Sequence, residues 1–207
     1  MQIFIKPPAV LKLLTQKWLT WDMPAKGFKI SLTFDDGPVP DVTPEVLRIL
    51  DRYKAKATFF CVGENVQKYP ELFSRVRAAG HSVGNHTFNH LKAWKIPAGD
   101  YLRNVDACRQ LVNSRLFRPP YGQITPGLVH ELAPYFKIIL WSVLTRDFDQ
   151  KISPEKCLEI ALQNTRPGSI VVFHDSVKAS ENMLFALPIF LEHFTALGAE
   201  FVALDEA

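Results

Sequence analysis

Ile30-Ser31-Leu32-Thr33-Phe34-Asp35-Asp36-Gly37-Pro38 is the stretch around which the rest of the chain is organised. The run from Ile30 to Phe34 reads as a buried strand, and it ends abruptly on two adjacent carboxylates and a Gly-Pro turn. Asp is depleted in strands, and a buried anion is costly unless it is paired or binds a metal, so these acids require partners from elsewhere in the chain. Taken alone, Asp-Asp-Gly-Pro would be a solvated turn, because Asp, Gly and Pro all favour turns.

Outward from this stretch, strand-like and helix-like segments alternate. Strands are expected over residues 28–34, 57–62, 81–84, 116–118, 136–143, 169–173 and 200–204. Helices are expected over 43–53, with Thr43 as N-cap and Pro44 at the first helical position, over 65–79, stopped by Gly80, and over 98–114, 125–133, 153–163 and 181–197. In the third of these, Tyr101, Leu102, Val105, Cys108, Leu111 and Val112 recur at the spacing of one helix face. The βα unit thus repeats about seven times. Apolar strands alternating with helices argue for an α/β fold with a parallel sheet covered by outer helices, and seven units in so short a chain favour a (β/α) barrel. Residues 1–27, with Trp18, Trp21 and Pro24, read as an irregular or short helical arm packing on one domain formed by 28–207.

The composition is that of an ordinary globular protein: 207 residues, 47% hydrophobic, net charge +3, too weak a charge to argue for nucleic acid. Cys61, Cys108 and Cys157 are far apart, odd in number and lack CxxC spacing, so they suggest neither a disulfide framework nor a thiolate zinc site, and buried, reduced thiols are expected. No stretch reaches the ~18 apolar residues of a membrane span, and the N-terminus lacks the apolar core of a signal peptide, so a cytoplasmic location or delivery by another route is expected.

In parallel α/β folds, functional groups gather at the C-terminal ends of the strands. Every unusual polar cluster falls there: Asp35-Asp36, the stretch from Asn85 to His90, Arg118 to Tyr121, Asp147, and His174-Asp175. His86 and His90 are spaced i, i+4, so one helical turn would let both imidazoles hold one metal ion. A lone HxxxH is common, but beside an Asp pair it points to a metal centre, most suitably Zn²⁺, with Co²⁺ or Ni²⁺ acceptable. A metal lowers the pKa of its bound water from about 15.7 toward about 7, and the carboxylate that does not ligate can act as general base. Arg118 is the natural partner to keep Asp35 ionised, and Asp147 is available to hydrogen-bond one ring nitrogen of His174 and raise its pKa.

Four ordered motifs, Thr33-Phe34-Asp35-Asp36-Gly37-Pro38, His86-Thr87-Phe88-Asn89-His90, Arg118-Pro119-Pro120-Tyr121-Gly122 and Val172-Phe173-His174-Asp175, resemble those of the polysaccharide deacetylase family, the NodB-homology domain of carbohydrate esterase family 4. The resemblance covers about residues 28–204. It implies a distorted (β/α) barrel and metal-dependent removal of N- or O-acetyl groups from glycans. By the same resemblance, Asp35 is the general base, Asp36, His86 and His90 are the metal ligands, His174 is the general acid, and the Tyr121 backbone N–H completes an oxyanion hole. Asp147 is expected to orient both Arg118 and His174.

The family's fourth motif is similar to Trp-Ser-Val-Asp-Thr-x-Asp-Trp, whereas this chain has Leu144 at the first acid and Phe148 at the final Trp. Those two changes are expected to make the groove wall more apolar or differently shaped. Pro120, Tyr121, Trp94 and Phe148 are the candidate substrate contacts, Trp94 as a platform for a sugar ring. The expected partner is an acetylated glycan or oligosaccharide. Two other readings stand beside it: hydrolysis of a small amide or cyclic imide on the same scaffold, and a glycan-binding module that has lost catalysis. Keeping both a base and an acid argues against the last.

Overall fold

The computed structural model describes residues 5–24 and 27–204. Its central strand, β2 (Lys29–Asp35), is built on alternation: Ile30, Leu32 and Phe34 enter the main hydrophobic core, while Ser31, Thr33 and Asp35 point the other way and are buried as well. The polar face of a half-buried strand ordinarily meets water. Here it meets a buried arginine, Arg118, inside the barrel.

Among the described residues the sheet runs in the order β1 (Leu19–Thr20), β6 (Lys137–Ile139), β5 (Leu116–Phe117), β4 (Ser82–Asn85), β3 (Ala57–Cys61), β2, β8 (Ile170–His174), β7 (Val143–Leu144), with β9 (Glu200–Phe201) beside the start of β2. Every ladder in it is parallel. Helices α2 (Thr43–Arg52), α3 (Gly63–Lys68), α4 (Pro70–Ala78), α5 (Ala98–Val112), α6 (Pro126–Leu132), α7 (Pro154–Asn164) and α8 (Ser180–Ala196) surround the strands. The result is a parallel (β/α) barrel, distorted because among the described residues no ladder joins its end strands β1 and β7.

The N-terminal segment spans that gap. After α1 (Ala9–Thr15), β1 adds an edge strand to β6, and the chain then bridges Asp22 to Ser169 while the Met23 N–H donates to the Gly168 carbonyl at 2.8 Å. Leu144 N–H donates to the Ile5 carbonyl at 3.0 Å on the other edge. The expected arm therefore contributes a strand and a strap as well as packing.

Three local expectations are corrected. Residues 65–79 do not form one helix, because Pro70 lacks the N–H that a continuous helix needs, and α3 ends at Lys68 before α4 begins at Pro70. Residues 136–143 do not form one strand: Leu140 N–H still bonds to Thr20, but Ser142 N–H bonds to Ile170, so the chain changes partner between β6 and β7. Thr43 opens α2 without capping it, since its hydroxyl accepts from Val39 N–H and donates to the Asp175 carboxylate.

The main core lies between β2, β3, β8 and the helices, where Phe34 stacks on Phe59 with ring centroids 5.0 Å apart. A second cluster seats Leu19 and Trp21 against Tyr101, Phe117, Leu128 and Phe136. Burial of such side chains stabilises by roughly 1.5–3 kcal/mol each, so both faces of the sheet are anchored and its C-terminal rim is left to chemistry.

Candidate active site

Strand register does the gathering. Asp35 stands level with His174 on β8 and Phe60 on β3, Cys61 with Asn85 on β4, and Asn85 with Phe117 on β5. The residues at or just beyond these positions, Asp35, Asp36, His86, Arg118 and His174, therefore reach one rim. His90 arrives by a loop and not by a helical turn: Thr87 and His90 have φ of 62° and 53°, and the loop is tied by Gly63 N–H to the Thr87 carbonyl and by Phe88 N–H and Asn89 N–H to Asn104 Oδ1. The His86 and His90 rings end 5.1 Å apart.

Asp36 also sits at positive φ, 84°, which a non-glycine residue adopts only when its surroundings enforce it. The enforcing contacts are visible. Asn65 Nδ2 donates to the Asp36 carbonyl at 2.8 Å, and the following Gly37 N–H donates to Asp175 Oδ1 at 3.0 Å. A Cβ on Gly37 would lie 1.9 Å from Asp175 Oδ2, so glycine is the residue that lets Asp175 grip the turn. Burial pushes the Asp175 carboxyl up to about 8, only partly offset by the Thr43 and Gly37 hydrogen bonds. Asp175, Thr43, Gly37 and Thr33 are the members of the site that sequence reasoning did not assign, and Asp175 directly following His174 was the available signal.

The Asp36 Oδ1 atom is buried and has no hydrogen-bond partner among the described residues, yet it lies 3.7 Å from His86 Nε2 and 3.2 Å from His90 Nε2. His86 Nδ1 is 2.7 Å from the Arg118 carbonyl, so Nδ1 carries the proton and Nε2 presents a lone pair. Burial pulls the His86 pKa down to about 4, which keeps the ring neutral as ligation requires. Burial opposes ionisation of Asp36, but the adjacent His90 and the field of His174 outweigh it and hold the carboxyl well below the usual range. One ligand atom from each of the three residues lies within 4.8 Å of the others. An orphaned carboxylate oxygen facing two imidazole nitrogens fits a divalent transition metal.

Two ion pairs flank this centre. Arg118, completely buried, donates from Nη1 to Asp35 Oδ1 at 2.6 Å and to Thr33 Oγ1 at 2.7 Å, from Nη2 to the Leu140 carbonyl, and from Nε to the Ile139 carbonyl. Its guanidinium lies 4.1 Å from the Phe60 ring centre. Burial lowers its pKa against the pull of Asp35. On the other side His174 Nδ1 donates to Asp147 Oδ1 at 2.7 Å, and His174 N–H donates to Asp147 Oδ2 at 2.6 Å. Burial works against the His174 cation, but the Asp147 carboxylate overrides it and pushes the pKa up to about 9. Among the described contacts Asp147 does not reach Arg118, because the guanidinium's donors are directed to Asp35, Thr33 and two carbonyls.

Of the expected substrate contacts, Tyr121 is half-exposed at φ 60°, with its ring 4.7 Å from that of His90. Phe148 packs edge-on against His174 with centroids 5.0 Å apart. Trp94 is exposed on a short 3-10 turn (Ala93–Lys95) and lines an apolar groove together with Tyr121. Pro120 is buried, so it shapes the Tyr121 turn from beneath and offers no contact surface.

Residues 22–134 match the family described as polysaccharide deacetylase. The chain belongs to the polysaccharide deacetylase family. A peptidoglycan-N-acetylglucosamine deacetylase of Bacillus cereus is 34% identical over 197 residues, covering 91% of this chain and 92% of that protein. A chitooligosaccharide deacetylase of Azorhizobium caulinodans is 32% identical, covering 73% of this chain and 76% of its own. The crystal structure of the Bc1960 peptidoglycan N-acetylglucosamine deacetylase, in complex with 4-naphthalen-1-yl-N-oxidanyl-benzamide, superposes with a TM-score of 0.88 at 29% identity, covering 96% of this chain and 95% of that one. Shared membership of the polysaccharide deacetylase family accounts for the barrel and for the order of the motifs around its rim.

Proposed function

We propose that this chain is a metal-dependent hydrolase that removes N-acetyl groups from amino-sugar glycans, the class to which peptidoglycan and chitooligosaccharides belong. The observation that carries the reading is the convergence of Asp36, His86 and His90 within 4.8 Å, flanked by the Asp35–Arg118 pair on one side and the His174–Asp147 pair on the other. The names of the two deacetylase relatives support the substrate class.

Amide hydrolysis needs a base for the attacking water, stabilisation of the oxyanion and an acid for the leaving nitrogen. Asp36, His86 and His90 would hold a divalent cation, which supplies Lewis acidity toward water and the acetyl carbonyl. Asp35, oriented by its hydrogen bond from Arg118, takes the proton from the attacking water. His174, kept protonated by Asp147, delivers its proton to the amine as the carbon–nitrogen bond breaks. The Tyr121 N–H donates to the developing oxyanion, and the Tyr121 ring, Trp94 and Phe148 bound the sugar.

The reading is tested by acetate release from chitooligosaccharides, peptidoglycan fragments and acetylxylan, with protein stripped of metal and reloaded with Zn²⁺, Co²⁺ or Ni²⁺. Metal-dependent acetate from the N-acetylglucosamine glycans, exceeding that from acetylxylan, is the expected result. Silence on all three substrates with one equivalent of metal bound would overturn it.

A further inference from the structure

Helix α1, Ala9-Val10-Leu11-Lys12-Leu13-Leu14-Thr15, is turned inside out. Val10, Leu13 and Leu14 are exposed by 67%, 67% and 69%, and Leu11 by 38%, whereas the half-buried residues are the polar Lys12 and Thr15. The polar pair is what fastens the helix. Lys12 Nζ donates to Asp22 at 2.6 Å, and the Trp21 indole N–H donates to Thr15 Oγ1 at 2.8 Å. Positions 10, 11, 13 and 14 fall on one broad arc of the helix, so its apolar side faces away from the domain as one continuous surface.

The surface continues into the apolar groove, a cavity of about 580 Å³ that runs from Leu11 and Trp18 to Trp94 and Tyr121 at the edge of the catalytic rim. Trp18 and Trp94 are half-exposed there. Each has lysine neighbours: Lys17 lies over the Trp18 ring at 5.5 Å, and Trp94 stands between Lys92 and Lys95 in sequence. Lys6 precedes the groove residue Pro7. Contiguous exposed apolar surface ringed by aromatic and cationic side chains marks an interaction site, and tryptophan with lysine is the pairing that suits the water–hydrocarbon boundary of a bilayer.

We propose that α1 and Trp18 dock this domain on the surface of an anionic lipid bilayer, with Val10, Leu13 and Leu14 entering the headgroup–acyl boundary and Lys6 and Lys17 neutralising lipid charge, while the Trp94–Tyr121 end of the groove stays open to sugar. Charge decides between a bilayer and a second copy of the chain. A two-fold contact through this face would bring Lys6 and Lys17 of two copies together, whereas an anionic surface attracts them. Binding would then rest on two signals, a short apolar wedge and a basic collar, and would be reversible, because about two turns of helix insert weakly by themselves. The catalytic rim lies beside the docked face, so acetylated sugar held close to a membrane would come within its reach.

The test is co-sedimentation of the full chain with vesicles of phosphatidylcholine alone or mixed with phosphatidylglycerol, independent of any activity. The chain is expected to sediment with the phosphatidylglycerol vesicles, to be largely released by raised salt, and to remain in solution with phosphatidylcholine alone. Leu13→Asp/Leu14→Asp is expected to reduce binding by about tenfold or more while leaving metal-dependent acetate release from a soluble chitooligosaccharide unchanged. Lys6→Glu/Lys17→Glu, which leaves the apolar face intact, is expected to abolish the preference for anionic lipid. Failure of the parent chain to sediment, equal sedimentation of the Leu13→Asp/Leu14→Asp variant, or light scattering showing a dimer that this variant dissociates would overturn the proposal. None of these outcomes touches the deacetylase reading, which acetate release tests separately.

Discussion

The two ion pairs at the rim share a geometry and differ in purpose. Asp35 and Arg118 meet at 2.6 Å, and His174 and Asp147 meet at 2.7 Å; in each pair the partner lies deeper than the group facing the reaction. In the first, the partner is a guanidinium that stays charged throughout the working range, so Asp35 faces a fixed positive charge. In the second, the partner is a carboxylate, and it pushes His174 up to about 9, so the imidazole is held as a cation. In the proposed mechanism, the opposite sign of the buried partner is what suits Asp35 to accept a proton and His174 to donate one.

The sharpest way to break that symmetry is to neutralise the anion. Asp35→Asn is expected to lower kcat by about 10³-fold or more, the upper range for a general base, with metal content unchanged when measured by atomic absorption. Removing the other half of the pair has a different signature. Arg118→Met leaves a buried carboxylate uncompensated, and destabilisation of about 3–5 kcal/mol is expected in urea unfolding, together with loss of activity. Intact stability in that variant would show that Asp35 finds another partner or protonates without penalty.

Truncating the acid is expected to cost less. His174→Ala should lower the rate on an N-acetyl sugar by about 10²-fold, and far less on an activated aryl acetate, whose leaving group departs without a proton. An equal loss on both substrates would assign His174 a role other than proton donation.

Much of this rim was legible before any fold was known, because its information is local. Two carboxylates at the end of an apolar strand, a histidine at the end of another, and an arginine ahead of Pro-Pro-Tyr each announce a buried charge in need of a partner. What was not legible depends on register between distant segments. Thr33 reads as an ordinary strand residue until β8 and Arg118 are placed against it, where its hydroxyl accepts from the guanidinium and donates to the Val171 carbonyl. Gly37 reads as a turn glycine, and its tighter requirement comes from Asp175, a residue 138 positions away. The run 136–143 is apolar throughout, so nothing local marks the change of partner at Leu140 to Ser142. The i, i+4 spacing of His86 and His90 suggested a helical turn, whereas positive φ at Thr87 and His90 brings the same rings together by another path.

A pH experiment sharpens the comparison further. The folded pKa of His174 lies above its ordinary 6.5, so the pair contributes stability that is complete below about 6.5 and is lost as pH rises through about 9. Melting temperatures of metal-stripped protein between pH 6 and pH 10 should fall across that window, and kcat/KM of the metal-loaded enzyme should decline on an alkaline limb, set at lower pH where the cation offsets the field of Asp36. Asp147→Asn removes the cause, so the limb is expected to move toward neutral pH. A limb unmoved by that substitution would belong to another group.

The smallest effect separates orientation from charge. Phe148 meets the His174 ring at 76° with centroids 5.0 Å apart, an edge-to-face contact worth about 0.5–1.5 kcal/mol beyond simple burial. Phe148→Ala leaves the Asp147 hydrogen bonds in place, so the alkaline limb should stay where it is. The ring is then free to turn about its bond to Asp147, and a fall in kcat of roughly two- to tenfold is expected from that lost contact energy. Phe148→Trp, the residue in the family's motif, should restore the packing and most of kcat, and any change it brings in KM would report on the groove wall alone. If Phe148→Ala instead moved the limb as Asp147→Asn does, the aromatic ring would be helping to exclude water from the ion pair, and the acid side would depend on desolvation in the same way as the buried Asp35–Arg118 side.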